Sequence, residues 1–372
     1  MTELASNAGT GVTVSRVDVA AYTIPLEQME TDGTLTWSAT TIVIVRVHGG
    51  GRLGVGYTYA PAAAARIVED TLTSVVEGRD ALAPGGTWDA MARAVRNQGL
   101  RGAAAAALSA VDVALWDLKA RLLDIPLVAL LDGYHESVPA YGSGGFTNFD
   151  DHELGAQLEG WAEAGLPAVK IKVGTDPDDD PRRVEFARQV IGDGIGLFVD
   201  GNGAYARKQA LAIAEAFAAA DVCWFEEPVS SDDVSGLRLL RDRAPAGMEI
   251  TAGEYGWDIT HFRSLLDAGA VDCLQADVTR CGGITGLLRV SALCDAANID
   301  LSSHGAPQLS AHVLTSAWHR RHLEYFADHV HIENRAFDGA LTPMLGALWP
   351  DRSSPGHGLH IRENDLEPFR VS

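Results

Sequence analysis

This chain of 372 residues has few cysteines, little positive charge and no long uninterrupted apolar run. Its four cysteines, Cys223, Cys273, Cys281 and Cys294, lie in apolar or helical contexts without a CxxC pair. A disulfide framework or a thiolate metal site is therefore not expected. No segment with a basic start and an apolar core precedes them, so buried, reduced thiols in a cytoplasmic protein are the expectation. Even the alanine-rich stretch 103–123 carries Asp112, Asp117, Lys119 and Arg121, which reads as a helix of a soluble protein and excludes a bilayer span. Lys and Arg number 29 against 50 Asp and Glu, a formal net charge of −21. Nucleic acid binding needs clustered positive charge to replace condensed counterions, so that class is excluded too. The one basic group, His319-Arg-Arg-His322, reads as a solvated helix end.

What is present is a normal apolar share, 47%, in a chain too long for one ordinary domain, so two domains are expected. Residues up to about Gly11 are small and polar and are expected to fray. β-branched alternation predicts strands over 13–20 and 41–47, and a hairpin-like connection through the glycines of 49–54 to a strand over 55–59. Helical patterns follow at 62–76, 88–97 and 103–123. Together these make an α+β domain over 1–136. From 137 to 334 short apolar runs alternate with helical stretches, about eight strands in all, which is the pattern of a parallel barrel. The tail 335–372 is expected to pack back on the first domain.

Three acids, Asp200, Glu226 and Glu254, each follow a short apolar run, at intervals of roughly 20 to 30 residues, about one strand-helix unit. Lys170 and Lys172 end the preceding run, Asp277 ends the next one, and His304 follows the one after that. A barrel brings the carboxyl ends of its strands to one rim, so these residues are expected to converge there. Taken singly, each acid reads as a helix cap and each lysine as a solvated residue on an edge strand. Taken together, three carboxylates without accompanying His or Cys suit Mg2+. Glu226 and Glu227 are neighbours, and either could be the ligand. Lysines pointing into a barrel are expected to have depressed pKa values, from desolvation and from each other's charge, and so to act as bases. An Asp277-oriented His304 would be a second proton-transfer group, although a lone histidine is more often structural.

Two glycine patterns point elsewhere and are set aside. Gly49, Gly51 and Gly54 have dinucleotide-loop spacing, but a strand follows where that motif needs a helix. Gly282-Gly-Ile-Thr-Gly286 opens a helix and could cradle a phosphate, yet close helix packing explains it as well.

The strings Val169-Lys-Ile-Lys172, Val199-Asp-Gly-Asn202, Phe225-Glu-Glu-Pro228, Ala252-Gly-Glu254, Asp277 followed by Cys281-Gly-Gly283, and Ser302-Ser-His304 resemble, in that order, the enolase superfamily and its mandelate racemase branch. The resemblance extends into the first domain through Ala110-Val-Asp-Val-Ala-Leu-Trp-Asp-Leu118. It implies an α/β fold, a modified TIM barrel of (β/α)7β type with an N-terminal α+β capping domain. It also implies Mg2+ on Asp200, Glu226 and Glu254, with Lys172 as one acid/base and His304, paired with Asp277, as the other. Lys170, Ser143, Asn202 and Glu324 would be substrate-binding, Glu324 by hydrogen bonding the substrate carboxylate. The muconate-lactonizing branch carries a lysine where Asp277 stands, so the aspartate favours the racemase type.

The implied chemistry is removal of the proton α to a carboxylate of a small acid, with the cation and lysines supplying the local attraction that the net charge does not. Dehydration of an acid sugar to a 2-keto-3-deoxy acid is the preferred outcome, racemization or epimerization of a 2-hydroxy acid the alternative, and an inactive binding barrel the non-enzymatic rival. A homo-oligomer without nucleic acid or membrane partners is expected. Specificity is expected from lid loops at 25–37 and 56–61, where Trp37, Tyr57 and Tyr59 are candidates to line the site.

Overall fold

A computed structural model describes residues 11–372; the segment expected to fray lies before them. Strands β1 (Val14–Thr31), β2 (Thr36–Gly49) and β3 (Arg52–Tyr59) form an antiparallel sheet in that order. Alternation puts Val43, Val45 and Val47 on one face, packed on the helix Ala103–Leu123, while Ile42 and Ile44 face the larger core. Both faces are therefore buried, which is why the β2 run reads as continuously apolar. Gly54 and Gly56 let the helix approach closely, since a Cβ on either would collide with backbone of Ala114 or Ala110. Gly50 and Gly51 make the β2–β3 turn and Gly54 lies within β3, so this is not a nucleotide loop.

Eight parallel strands follow: β4 (Val138–Gly144), β5 (Ala168–Lys172), β6 (Gly196–Asp200), β7 (Val222–Glu226), β8 (Glu249–Ala252), β9 (Cys273–Ala276), β10 (Asp300–Ser303) and β11 (Arg320–Phe326). Pairing of β11 with β4 closes the sheet into a barrel, with a helix after each of the first seven strands. The expected (β/α)7β barrel with an α+β cap is thus the fold. His319-Arg-Arg-His322 is not a helix end. It leads into β11, where Arg321 pairs with Glu249 and Asp300 at 2.7 Å and His322 packs among the barrel's aromatic rings.

The helix Gly283–Ala297 starts at the second glycine cluster, and amide groups at its start are bonded to the cap. Asp112 of the cap accepts from Thr285 N at 2.8 Å, and Ser109 Oγ accepts from Gly282 N at 2.9 Å. A helix end capped by the other half of the molecule serves to join the two, and no phosphate is needed to explain it. Near the end of the chain, Val371 N donates to Ala21 O and Ser372 O accepts from Ala21 N, at the edge of β1.

The 25–37 segment differs from a lid loop. β1 and β2 run on through it as a two-stranded arm, with an irregularity between Pro25 and Glu30 that bends it. Its tip docks on the barrel rim: Thr147 N donates to Thr31 O at 2.8 Å and Thr175 Oγ1 to Asp32 O at 2.9 Å. Gly33 sits so close that a Cβ would collide with the carbonyl oxygens of Gly201 and Val173. Among the described residues no helix is long and apolar enough to cross a membrane, and no cysteine is in a disulfide.

Candidate active site

Asp200 and Glu226 are the last residues of β6 and β7, and Glu254 follows β8. Gly253 reaches Glu254 through φ of 138°, with Gln275 O where a Cβ would be, so only glycine fits this turn. Asn202, Glu227 and Ala306, just past β6, β7 and β10, also adopt positive φ. Such left-handed backbone costs energy outside glycine, and it clusters here because the rim must aim several side chains at one point.

The aim is shared. One carboxylate oxygen from each of Asp200, Glu226 and Glu254 lies within 4.8 Å of the other two, and all three residues are buried. Between Glu226 and its neighbour, the structure puts Glu226 in this group. Among the described residues, Glu226 Oε1 and Glu254 Oε2 have no hydrogen-bond partner. His304 Nε2 comes within 3.1 Å of Glu254 Oε2, but without the alignment of a hydrogen bond. Buried, unpaired anionic oxygens converging on one point are unstable by themselves and fit a hard divalent cation. Burial, then repulsion from Asp200, raises Glu226 to about 7. Burial and Glu254 raise Glu227 well above the carboxylate range.

Both lysines point into the barrel as the alternation requires. Lys170 Nζ lies 2.6 Å from Glu226 Oε2, 2.8 Å from Glu324 Oε1 and 3.5 Å from Asp200 Oδ2. Lys172 Nζ lies 2.5 Å from Asp200 Oδ2. The expectation of depressed pKa values is corrected here. Burial does lower both, but Asp200, Glu254 and Glu226 together outweigh it at Lys172, and Glu226, Glu324 and Asp200 together outweigh it at Lys170, so both end above the usual lysine value. Reasoning from burial and the neighbouring ammonium left out the acids of the adjoining strands.

Glu324, in β11, accepts from Ser143 Oγ at 2.6 Å and from Gly305 N at 2.8 Å. Burial opposes its ionisation, but Lys170 and His304 hold it well below the usual carboxylate range. An ionised carboxylate only accepts hydrogen bonds, so Glu324 must take up a proton before it can bond a substrate carboxylate. Asn202 N donates to Asp200 Oδ1 at 2.9 Å, while its side-chain oxygen is buried and unpaired.

On the other flank, His304 Nδ1 lies 2.9 Å from Asp277 Oδ2. The other oxygen of Asp277 accepts from Thr279 N and Oγ1, both at 2.7 Å. Burial raises the carboxyl, but His304 and Arg280 bring it down to about 2. Burial lowers His304, but Glu254 and Glu324 raise it above the ordinary imidazole value.

Lys172 and His304 both line one cavity of about 440 Å³ beneath the β1–β2 arm, a size suited to a small molecule. Trp37 and Tyr59 line it as expected, whereas Tyr57 is buried away from it, donating to Glu333 Oε1 at 2.6 Å. Sequence reasoning missed Arg280, whose Nε is 3.4 Å from Asp277 Oδ2 and whose guanidinium lies over Tyr255. It also missed Asp328, which accepts from Trp37 Nε1 at 3.1 Å and from Thr40 Oγ1 at 2.7 Å. Arg280, three residues past Asp277, was findable from that spacing. Nothing in the chain announces the pairing of Asp328 with Trp37.

Capped barrels of this build form one class, and both halves of the chain match its family models. Residues 12–132 match the mandelate racemase / muconate lactonizing enzyme N-terminal domain, and residues 153–365 the enolase C-terminal domain-like model. The chain belongs to the mandelate racemase/muconate lactonizing enzyme family of the enolase superfamily, and it is an enzyme. It is 34% identical to a 3,6-anhydro-alpha-L-galactonate cycloisomerase of Streptomyces coelicolor, over 93% of this chain and 96% of that one. It is 32% identical to an L-rhamnonate dehydratase of Saccharopolyspora erythraea, over 86% and 79%. Among solved structures, a mandelate racemase/muconate lactonizing enzyme-like protein from Rubrobacter xylanophilus is 52% identical with TM-score 0.95, over 96% and 100%. A racemase from Streptomyces coelicolor with bound magnesium is 32% identical with TM-score 0.91, over 96% and 100%.

Proposed function

We propose that this enzyme removes the proton α to a substrate carboxylate and expels a β-hydroxyl, dehydrating an acid sugar to a 2-keto-3-deoxy acid. The observation that carries the reading is that Lys172 and His304 open into one cavity beside the converging oxygens of Asp200, Glu226 and Glu254. Those three carboxylates would hold Mg2+, in keeping with the magnesium bound to the Streptomyces coelicolor racemase. Bound there, Mg2+ would supply positive charge to a substrate carboxylate that gains electron density.

The side chains divide the remaining work. Lys172 takes the α-proton at Nζ when its amine is neutral. The bond from His304 Nδ1 to Asp277 fixes the ring, so Nε2 is the nitrogen offered to the cavity. The raised basicity of His304 suits an imidazolium that passes its Nε2 proton to the departing hydroxyl, releasing water. The enol left behind becomes the 2-keto acid. Lys170 keeps positive charge beside Glu226 and Glu324 throughout. The Phe326 ring, between Lys172 at 5.8 Å and His304 at 6.4 Å, keeps that wall dry.

A second reading, racemization or epimerization, is favoured by the same pair: two proton-transfer groups in one cavity can take a proton from one face and return it to the other. Incubation of acid sugars with the enzyme and Mg2+ tests both, by 2-keto acid formation and by α-proton exchange in D2O. Keto acid supports dehydration, exchange alone supports racemization, and neither signal across a broad panel rejects both. Lys172→Ala and His304→Ala are each expected to abolish dehydration with Mg2+ affinity nearly unchanged.

A further inference from the structure

The wall of the cavity formed by the β1–β2 arm holds a polar group that the chemistry above does not use. Asp328 lies four residues past Glu324 in the chain and is only 4% exposed. Its Oδ2 accepts from Trp37 Nε1 and Thr40 Oγ1, while Oδ1 has no hydrogen-bond partner among the described residues. Glu30, on the arm, is buried beside it with Oε2 likewise unpaired. A buried acceptor without a donor is costly, so its presence on the wall of a ligand cavity implies that the ligand brings the donor.

Resting on the dehydratase reading, we propose that Asp328 receives a hydroxyl on the distal carbon of the substrate, so that the enzyme takes aldonic monoacids and rejects aldaric diacids. The two classes differ only in whether the chain ends in a CH2OH group or in a second carboxylate. Against Asp328 the hydroxyl donates a hydrogen bond, whereas a carboxylate offers only lone pairs and a like charge, in a site that Trp37 and Thr40 already saturate with donors on the other oxygen. Burial raises both carboxyls, Glu30 to about 9. Arg280 also lines the cavity and, apart from the proton-transfer groups Lys172 and His304, is a cation that a second carboxylate could seek. Its charge is already matched by Asp277 at 3.4 Å and Glu254 at 3.8 Å.

The test uses matched pairs with the Mg2+-loaded enzyme: gluconate against glucarate and galactonate against galactarate, read as keto acid formed and as α-deuterium taken up from D2O. The unaltered enzyme is expected to prefer an aldonate over its aldarate by at least about 100-fold in kcat/KM. Asp328→Asn, whose amide can donate, is expected to narrow that ratio at least about 10-fold. Equal or better use of the aldarate overturns the proposal and leaves the dehydratase reading standing. Preference for a 2-hydroxy acid with a distal ammonium group over its hydroxyl counterpart also overturns it. Neither product nor exchange with any acid overturns the dehydratase reading and this proposal together. Should Asp328→Asn fail to fold, competitive inhibition of the unaltered enzyme by each member of a pair decides the same question.

Discussion

His304 turns Nδ1 to Asp277 Oδ2 at 2.9 Å, and Asp277 has no hydrogen left to give, because His304, Arg280 and Thr279 outweigh its burial and keep it ionised. The imidazole is therefore held in one orientation by an anion. Asp277→Asn keeps the shape and removes the charge. It is expected to cut kcat by about 100-fold or more with a small change in KM, measured by keto acid formation.

Glu226→Gln removes one of the three converging carboxylates. Mg2+ affinity by calorimetry is expected to fall more than about 10-fold. Chelation should lower the melting temperature of the unaltered enzyme, since a cation present at 100 times its Kd stabilises by about 2.7 kcal/mol. Unchanged melting with EDTA would argue against the carboxylate cluster as a cation site.

Lys170 is fully buried between Glu226 and Glu324. Lys170→Met strands both acids without their ammonium, and breaking a buried pair in this way costs about 3 to 5 kcal/mol. Urea unfolding should show that loss, and activity should fall with it.

At the tip of the arm, Gly33→Ala forces a methyl against the carbonyls of Gly201 and Val173. The tip must lift, and the cavity beneath opens. A fall in kcat/KM of about 10- to 100-fold is expected, with overall stability little changed. Steady-state kinetics beside a thermal melt separates the two effects.

Glu333, bonded to Tyr57, is pushed by burial from an ordinary 4.5 up to about 8. A folded pKa above the unfolded one means that its contribution is complete below pH 4.5 and is lost as pH rises through 8. The unaltered enzyme should therefore lose more stability between pH 6 and 9 than Glu333→Gln does. Denaturant titrations at both values measure the difference.

The barrel and most of its rim were legible because each strand is a short apolar run and each functional acid sits where that run stops. Asp200, Glu226 and Glu254 could be read that way, and the period of two placed Lys170 and Lys172 on one inward face. What could not be read depends on partners far apart in the chain. Trp37 and Asp328 are separated by 291 residues, and nothing local marks either for the other. The lysine charge state failed for the same reason: Asp200 and Glu226 reach Lys172 and Lys170 only after the barrel closes. The arm reads as a loop from sequence, whereas its strands run up to the turn at Asp32 and Gly33 on both sides.

The donors that hold Asp328 in place and the groups that would move protons come from different stretches of polypeptide. Trp37 and Thr40 belong to the cap, Lys172 and His304 to the barrel. Mutations in the arm can therefore retune substrate choice while the reactive pair stays as it is. A laboratory search for new acids to process should randomise positions around Trp37 and Thr40 before touching any strand end.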